Sequence, residues 1–126
     1  MNIRHLAGSF AIYRFPPDTP VPTSVLASEV FSVTRTATEL SVVCRSAVAL
    51  GPARPEHTEP DWSCLEVEGP LPFTMTGVLA ELSAVLAREG VSLFTVSTHD
   101  TDYLFVKTAA LEQAVQALTG AGHAIT

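Results

Sequence analysis

The chain has 126 residues, of which 47% are apolar and 16% charged, so it is a folded protein of one or two small domains and not a disordered one. Its net charge of −6, with one lysine and six scattered arginines, offers no concentrated basic face and excludes nucleic acid as an expected partner. No apolar run approaches the roughly 20 residues of a membrane span and the N-terminus lacks a signal-peptide core, so we expect a cytoplasmic protein without a membrane partner.

The N-terminal half of the chain predicts an incomplete structural module. Residues 9–15 have the apolar and aromatic composition of a strand, and a proline-rich turn occupies residues 16–22. A short helix is predicted at 23–27, followed by a hairpin of two strands at 30–36 and 39–45. The sequence therefore predicts the order strand, helix, strand, strand, without the helix and strand that complete this order in the C-terminal half.

The C-terminal half begins after a segment without regular structure. Residues 51–60 hold three prolines and no apolar periodicity, which indicates a linker. The strand predicted at 63–68 alternates, with Leu65 and Val67 on one face and acidic residues on the other. A glycine and two prolines end this strand.

An amphipathic helix is predicted to begin near Thr74. This threonine fits the N-cap, Phe73 and Val78 fit a hydrophobic staple around it, and Gly90 fits the left-handed position just past the helix end. The apolar positions repeat at helical spacing at Met75, Val78, Leu79, Leu82, Val85 and Leu86.

Two further strands are predicted at 91–96 and 103–107, because both segments are rich in β-branched and aromatic residues. Thr108 is placed to cap a second amphipathic helix, and residues 123–126 form a short closing strand. The order strand, helix, strand, strand, helix, strand predicts an α+β sandwich with an antiparallel sheet and helices on one face. The turn at 97–102 is a polar cluster in an otherwise apolar hairpin, and we expect it to serve a small-molecule ligand.

The two cysteines, Cys44 and Cys64, each lie in an apolar, strand-like run. Neither belongs to a CxxC motif or to a Cys/His cluster, which a metal site or a redox pair would require. The pattern therefore favours two buried, reduced core thiols.

Three parts of the sequence carry a resemblance to a known family. They are residues 30–34 with 39–43, residues 72–80, and residues 91–106 with their Ser-Thr-x-x-x-Asp core. In these motifs the chain resembles ACT-domain proteins, specifically the small two-module ACT proteins related to the cytosolic arginine sensors of animal growth signalling. The chain has about half the modules of those sensors, so the resemblance implies a homodimer as the complete assembly.

The resemblance implies a ferredoxin-like βαββαβ fold, with a degenerate N-terminal ACT-like module at 1–50, a linker at 51–60 and a C-terminal ACT module at 61–126. It also implies a regulatory protein that binds an amino acid at an ACT–ACT interface. A cationic amino acid is among the candidates. Neither a cofactor nor catalysis is expected.

The same resemblance implies which residues bind the ligand. Ser92 and Leu93 would hold the ligand backbone, Gly77 would let the ligand approach, and Asp102 would contact a cationic group. The full set is Thr76, Gly77, Ser92, Leu93, Ser97, Thr98 and Asp102.

Elementary chemistry supports part of this site without the family. The first turn of a helix offers unpaired N–H groups to a carboxylate, and an aspartate can accept hydrogen bonds from an ammonium group. Two alternatives stay open. Asp102, with Ser97 and Thr98, would also serve to shape the turn, and Gly77 would also admit close packing of the helix on the sheet.

Catalysis is disfavoured by the spacing of the polar residues. Ser97, His99 and Asp102 lie within one turn, whereas a catalytic triad is normally assembled from distant segments, and no G-x-S-x-G motif is present. His99, Asp100 and Asp102 would make a poor metal cage, because one flexible turn supplies all three and no outer shell supports them. The remaining alternative is a structural or protein-interaction module without a ligand.

Overall fold

The structure is a computed structural model that describes residues 1–72 and 76–126. Within those residues the strands are β1 (Asn2–His5), β2 (Phe10–Phe15), β3 (Ser32–Arg35), β4 (Leu40–Arg45), β5 (His57–Val67), β6 (Leu93–Ser97), β7 (Asp102–Lys107) and β8 (Ala124–Ile125). The helices are α1 (Thr23–Leu26), α2 (Val78–Arg88) and α3 (Leu111–Gly120), with a 3-10 turn at Thr108–Ala110 before α3. None of the helices in this described part has the length and hydropathy that a bilayer span requires.

The chain forms two compact units that interleave along the sequence. The outer unit combines Met1–Ala7 with Trp62–Thr126, and the inserted unit is Gly8–Asp61. The predicted modules followed the order of the sequence, whereas the structure groups the first seven residues with the C-terminal half. Strand β5 crosses the unit boundary, since its residues up to Asp61 belong to the inserted unit.

The outer unit has the predicted order β5, α2, β6, β7, α3, β8, with one extra strand. Its strands lie in the order β6-β7-β5-β1-β8, and β1 inserts between β5 and β8. All the pairings are antiparallel except that of β1 with β8, and the register opposes Ile3 to Val67 and Leu65 to Leu104. The α+β, ferredoxin-like fold predicted from the sequence is therefore confirmed.

One face of this sheet forms the core with α2 and α3. Leu65 and Val67, which the alternation of β5 predicted to share a face, are both fully buried there. The other buried members are Ile3, Leu82, Val85, Leu86, Val91, Leu104, Val106, Ala114 and Leu118. A fully buried leucine or valine contributes about 1.5–3 kcal/mol relative to exposure, so this face holds the elements in place.

The inserted unit follows the same pattern but has one short helix. Its strands lie in the order β3-β4-β2, and α1 spans only four residues. After β4, residues 46–56 contain no helix, and Val48, Leu50 and Ala53 pack against the core instead. The buried core residues are Ala11, Tyr13, Phe15, Val25, Leu40, Val42 and Cys44. Cys44 and Cys64 are both buried, and burial raises the pKa of the Cys44 thiol.

Several predicted boundaries differ from the structure for identifiable reasons. Helix α2 begins at Val78, because Gly77 has φ +83°, a left-handed conformation that no α-helix contains. The predicted cap Thr74 and its staple residue Phe73 lie outside the described residues. Thr108 does not cap α3, since its hydroxyl is engaged with Ser63 Oγ at 2.9 Å.

Two strand segments were not foreseen in the sequence. Strand β1 was missed because its short segment has only Ile3 as a buried residue, too little for a visible alternation. Strand β5 begins at His57, inside the segment predicted as a linker. The prolines and charged residues of that segment give no apolar alternation from which a strand could be predicted. The residue before β5 is hydrogen-bonded to strand β2, because the Glu56 N–H donates to the Arg14 carbonyl at 2.7 Å.

Candidate functional site

A cleft lies at the end of the outer unit's sheet where β5 ends and β7 begins. Because β7 runs antiparallel to β5, the turn between β6 and β7 lies beside residues 68–72, which follow β5. The cleft between these two loops has a volume of about 240 Å³. It is lined by Leu71, Pro72, Gly77, Val78, Leu79, Ala80, Ser97, Thr98, His99, Asp100, Thr101 and Asp102.

One wall of the cleft is the start of helix α2. The Glu81 N–H donates to the Gly77 carbonyl at 2.9 Å, so the N–H groups of Val78, Leu79 and Ala80 precede the first intrahelical bond of the helix. These groups and the helix dipole present partial positive charge at this wall. A cationic side chain is therefore not needed to attract an anion here.

The backbone conformation at position 77, and not a lack of space for a side chain, is the reason for a glycine there. Its φ of +83° lies in the region that glycine adopts without strain. Apart from its two chain neighbours, no described residue has a heavy atom within 4 Å of a Cβ placed there. Among the described residues, no close contact accounts for the glycine at 77, and its left-handed backbone does.

The opposite wall is the turn between β6 and β7. The Thr98 N–H donates to the Thr101 carbonyl at 2.8 Å, and the Thr101 N–H donates to Thr98 Oγ1 at 3.3 Å. At the base of the turn, Ser97 Oγ donates to Asp102 Oδ1 at 2.5 Å. The hydroxyls of Ser97 and Thr98 thus shape the turn, as one alternative expected, and Asp102 is held by Ser97 at the cleft.

Two hydrogen bonds that the sequence did not reveal join the β6–β7 turn to the end of β5 and to Leu71. Thr101 Oγ1 donates to the Val67 carbonyl at 2.6 Å, and the Leu71 N–H donates to the Asp100 carbonyl at 2.7 Å. Val67 and Thr101 are 34 residues apart, so no local pattern could pair them. The only signal in the sequence is that Thr101 lies beside a hydrophobic strand, where a buried hydroxyl needs a partner.

The charged side chains of the cleft are acidic. Asp100 and Asp102 both line it, and none of its described lining residues is a lysine or an arginine. His99 Nδ1 lies 3.2 Å from Asp100 Oδ1, but its side chain is 90% exposed. The cleft therefore combines a helix start at one wall with carboxylates at the other.

This arrangement lacks the order of a catalytic triad. Ser97 donates directly to Asp102, whereas a triad places the histidine between the nucleophile and the acid. Within residues 1–72 and 76–126, no group of three or more histidine, cysteine, aspartate or glutamate residues is arranged to hold a metal ion.

The structure brings four of the seven predicted ligand-binding residues together. Gly77, Ser97, Thr98 and Asp102 line the cleft, and the exposed Thr76 precedes Gly77 in the chain without lining it. Leu93 begins β6, about 13 Å along the strand from Ser97, and Ser92 immediately precedes it. Leu93 packs against the core and is paired with Val106, whereas Ser92 is exposed.

Comparison with protein families identifies the fold directly. The family model of the ACT domain matches residues 57–120, half of the chain. The chain belongs to the ACT-domain family. A second family model, of an N-terminal domain, matches residues 8–48 and covers most of the inserted unit of this ACT protein. No curated protein matches the chain.

Solved structures of similar proteins extend this result. A crystal structure of a protein from Agobacterium tumefaciens is 33% identical, with a TM-score of 0.87 over 99% of this chain and 91% of that one. A protein of unknown function from Vibrio cholerae, described as a possible transport protein, is 20% identical, with a TM-score of 0.71 over 94% and 88%. The ligand-free regulatory subunit of aspartate kinase from Thermus thermophilus is 12% identical, with a TM-score of 0.67 over 95% and 97%. The last two share the fold with this chain.

Proposed function

We propose that this ACT protein is an amino-acid sensor that binds a free α-amino acid in the cleft and carries out no chemistry of its own. The observation that carries the proposal is the pairing of the start of α2 with Asp102 across one small cleft. A zwitterion presents a carboxylate and an ammonium group a short distance apart. The two walls of the cleft offer a partner to each.

The carboxylate of the ligand is assigned to the start of α2. The N–H groups of Val78, Leu79 and Ala80 lie there, and a helix N-terminus is a ready site for an anion. Gly77 lines this wall without a side chain, so it leaves the approach to these N–H groups open.

The ammonium group of the ligand is assigned to Asp102. Its Oδ1 already accepts the Ser97 hydroxyl, which fixes the carboxylate in orientation and leaves Oδ2 to accept from the ligand. Hydrogen bonds between ionised groups are about twice as strong as neutral ones. Asp100 adds a second negative charge, so we expect neutral or cationic amino acids to bind better than aspartate or glutamate.

The size of the cleft suits a ligand of this kind. Pockets for drug-sized ligands measure roughly 300–1,000 Å³, and this one measures about 240 Å³. The apolar lining residues Leu71, Val78 and Leu79 are available to the ligand's side chain.

The family and the structural neighbours support a regulatory role. The similar Thermus thermophilus protein is the regulatory subunit of an aspartate kinase, and a similar aspartate kinase from Clostridium acetobutylicum is an allosteric enzyme. In a regulatory protein of this kind, ligand binding would stabilise one arrangement of the modules, and a partner protein would bind that arrangement preferentially. The sequence motifs resemble those of arginine sensors, so arginine is one of the ligands to test.

A homodimer is part of this proposal, in a cytoplasmic setting. Strand β6 is paired only with β7 among the described strands, so one edge of the outer unit's sheet is available to a second copy. ACT modules placed side by side would set the cleft at a module interface. Analytical ultracentrifugation tests this directly, and a monomer at micromolar concentration would contradict it.

The test of the proposed function is thermal unfolding in the presence of each of the twenty amino acids at millimolar concentration. A ligand present at about 100 times its dissociation constant adds roughly 2.7 kcal/mol, which raises the midpoint by several degrees for a chain of this size. Asp102→Asn keeps the shape of the side chain and should abolish the shift while leaving the dimer intact. Asp18→Asn, an exposed aspartate of the inserted unit, is the matched control and should keep the shift.

The outcomes are distinct. A shift with one or a few amino acids that Asp102→Asn removes and Asp18→Asn retains supports the sensor and names its signal. A wild-type protein that none of the twenty stabilises contradicts the proposal and favours the structural or protein-interaction module.

A further inference from the structure

The two loops of the cleft are connected by a buried side chain that the proposed site does not use. Thr101 is only 8% exposed, and its hydroxyl donates to the Val67 carbonyl at 2.6 Å. The register between β5 and β7 runs from Trp62 opposite Lys107 to Glu66 opposite Tyr103. The hydrogen bond of the Thr101 hydroxyl therefore extends the hydrogen bonding between strands β5 and β7 beyond their last paired residues.

Two further features bring the loops together at the same place. The Leu71 N–H donates to the Asp100 carbonyl at 2.7 Å, so the residue before Thr101 is tied to the loop from β5 to α2. A Cβ at Gly69 would lie 2.9 Å from that same carbonyl oxygen, closer than real Cβ atoms approach. The Thr101 hydroxyl therefore acts at a place where the backbones on the two sides already approach closely.

We propose that Thr101 is a positioning residue of the amino-acid site. Its bond to Val67 sets the distance between the β6–β7 turn, which carries Asp102, and the loop that leads to α2. This inference rests on the proposed function, because it assigns the spacing of the cleft to one hydroxyl. Loss of that hydroxyl allows the walls to separate, so that a ligand spanning both walls loses contact with one of them.

The experiment compares three variants of the full chain. Thr101→Val keeps the shape of the side chain and removes the hydroxyl, whereas Thr101→Ser keeps the hydroxyl. Ser63→Ala is the matched control, because Ser63 is 3% exposed and its hydroxyl bonds Thr108 Oγ1 at 2.9 Å, near the opposite end of the β5–β7 pair. All three are titrated calorimetrically at 25 °C with the amino acid that gives the largest wild-type thermal shift.

The second readout needs no ligand. Exchange of the Leu71 amide hydrogen, measured by NMR on the unliganded variants, reports how often the bond to the Asp100 carbonyl opens. We expect Thr101→Val to weaken amino-acid binding about tenfold and to speed exchange at Leu71 about tenfold, which are typical effects of losing one hydrogen bond. Thr101→Ser and Ser63→Ala should stay within about threefold of wild type in both readouts.

Each result decides one question. Wild-type affinity in Thr101→Val, together with a lowered unfolding midpoint, would show that the hydroxyl is only structural and would overturn the inference. Unchanged exchange at Leu71 would overturn it as well. A wild-type protein that binds none of the twenty amino acids refutes the proposed function and with it the role of Thr101 in binding, even if exchange at Leu71 still responds.

Discussion

The two glycines at the ends of α2 allow a controlled test of the helix start as a binding wall. Gly77 has φ +83° before the helix and Gly90 has φ +70° after it, and within residues 1–72 and 76–126 a Cβ at either position meets nothing within 4 Å beyond its chain neighbours. Alanine at each position therefore suffers only the cost of a left-handed backbone, about 1–2 kcal/mol. We expect Gly77→Ala and Gly90→Ala to lower the free energy of unfolding by similar amounts.

The two variants should differ sharply in ligand binding. Gly77 lines the cleft and Gly90 does not. An alanine at 77 that relaxes its backbone turns the N–H groups of the first helical turn away from the cleft, and its methyl group occupies space at that wall. We expect at least a tenfold loss of amino-acid affinity, about 1.4 kcal/mol, for Gly77→Ala and none for Gly90→Ala.

Urea unfolding gives the stability of both variants, and calorimetric titration at 25 °C gives their affinities. Equal amino-acid affinity in Gly77→Ala and Gly90→Ala would contradict the role of the helix start in binding. Wild-type stability in Gly77→Ala would contradict the expected loss of stability, because the left-handed backbone would then carry no cost for alanine.

Three further predictions concern stability. Burial, aided by a hydrogen bond to Glu66, raises the pKa of Tyr103 from 10.0 to about 12. The stabilisation that the neutral Tyr103 side chain provides is therefore complete below pH 10 and is lost as the pH rises towards 12. In a Tyr13→Phe background the tyrosinate absorbance should have its midpoint near pH 12, and a midpoint near pH 10 would contradict this. Gly69→Ala places a Cβ 2.9 Å from the Asp100 carbonyl oxygen and should destabilise the protein by about 1–3 kcal/mol in urea unfolding, whereas wild-type stability would show that the loops separate freely. Leu104→Ala removes a fully buried side chain and should cost about 2–5 kcal/mol by the same measurement, with a loss below 1 kcal/mol refuting its place in the core.

The sequence was sufficient to predict the strands and helices of the outer unit other than β1, because their patterns are local. The alternation around Leu65 and Val67 and the glycine at 90 each depend on neighbours within a few residues, and the structure confirms both. The polar turn at 97–102 was also visible, because it breaks an apolar hairpin. These local signals predicted the fold and marked the polar turn, whereas the choice of Asp102 within that turn came from the resemblance to the family.

What the sequence did not predict depends on contacts between distant residues. Strand β1 pairs with β5 and β8, more than 50 residues away, and its own segment has only one buried residue. Thr101 bonds a carbonyl 34 residues away. Ser92 and Leu93 were predicted from the resemblance to a family. The length of β6 separates them from Ser97 and from the cleft. Such relations exist only once the sheet is assembled.

The most direct test of the cleft as the binding site is a titration of ¹⁵N-labelled protein with each of the twenty amino acids, followed by amide chemical shifts. If the cleft binds an amino acid, the largest saturable shift changes will fall at Gly77–Ala80 and at Ser97–Asp102, the two walls. Saturable changes confined to Ser92 and Leu93, or to the inserted unit, would place the ligand elsewhere. No saturable change with any amino acid would contradict the central claim.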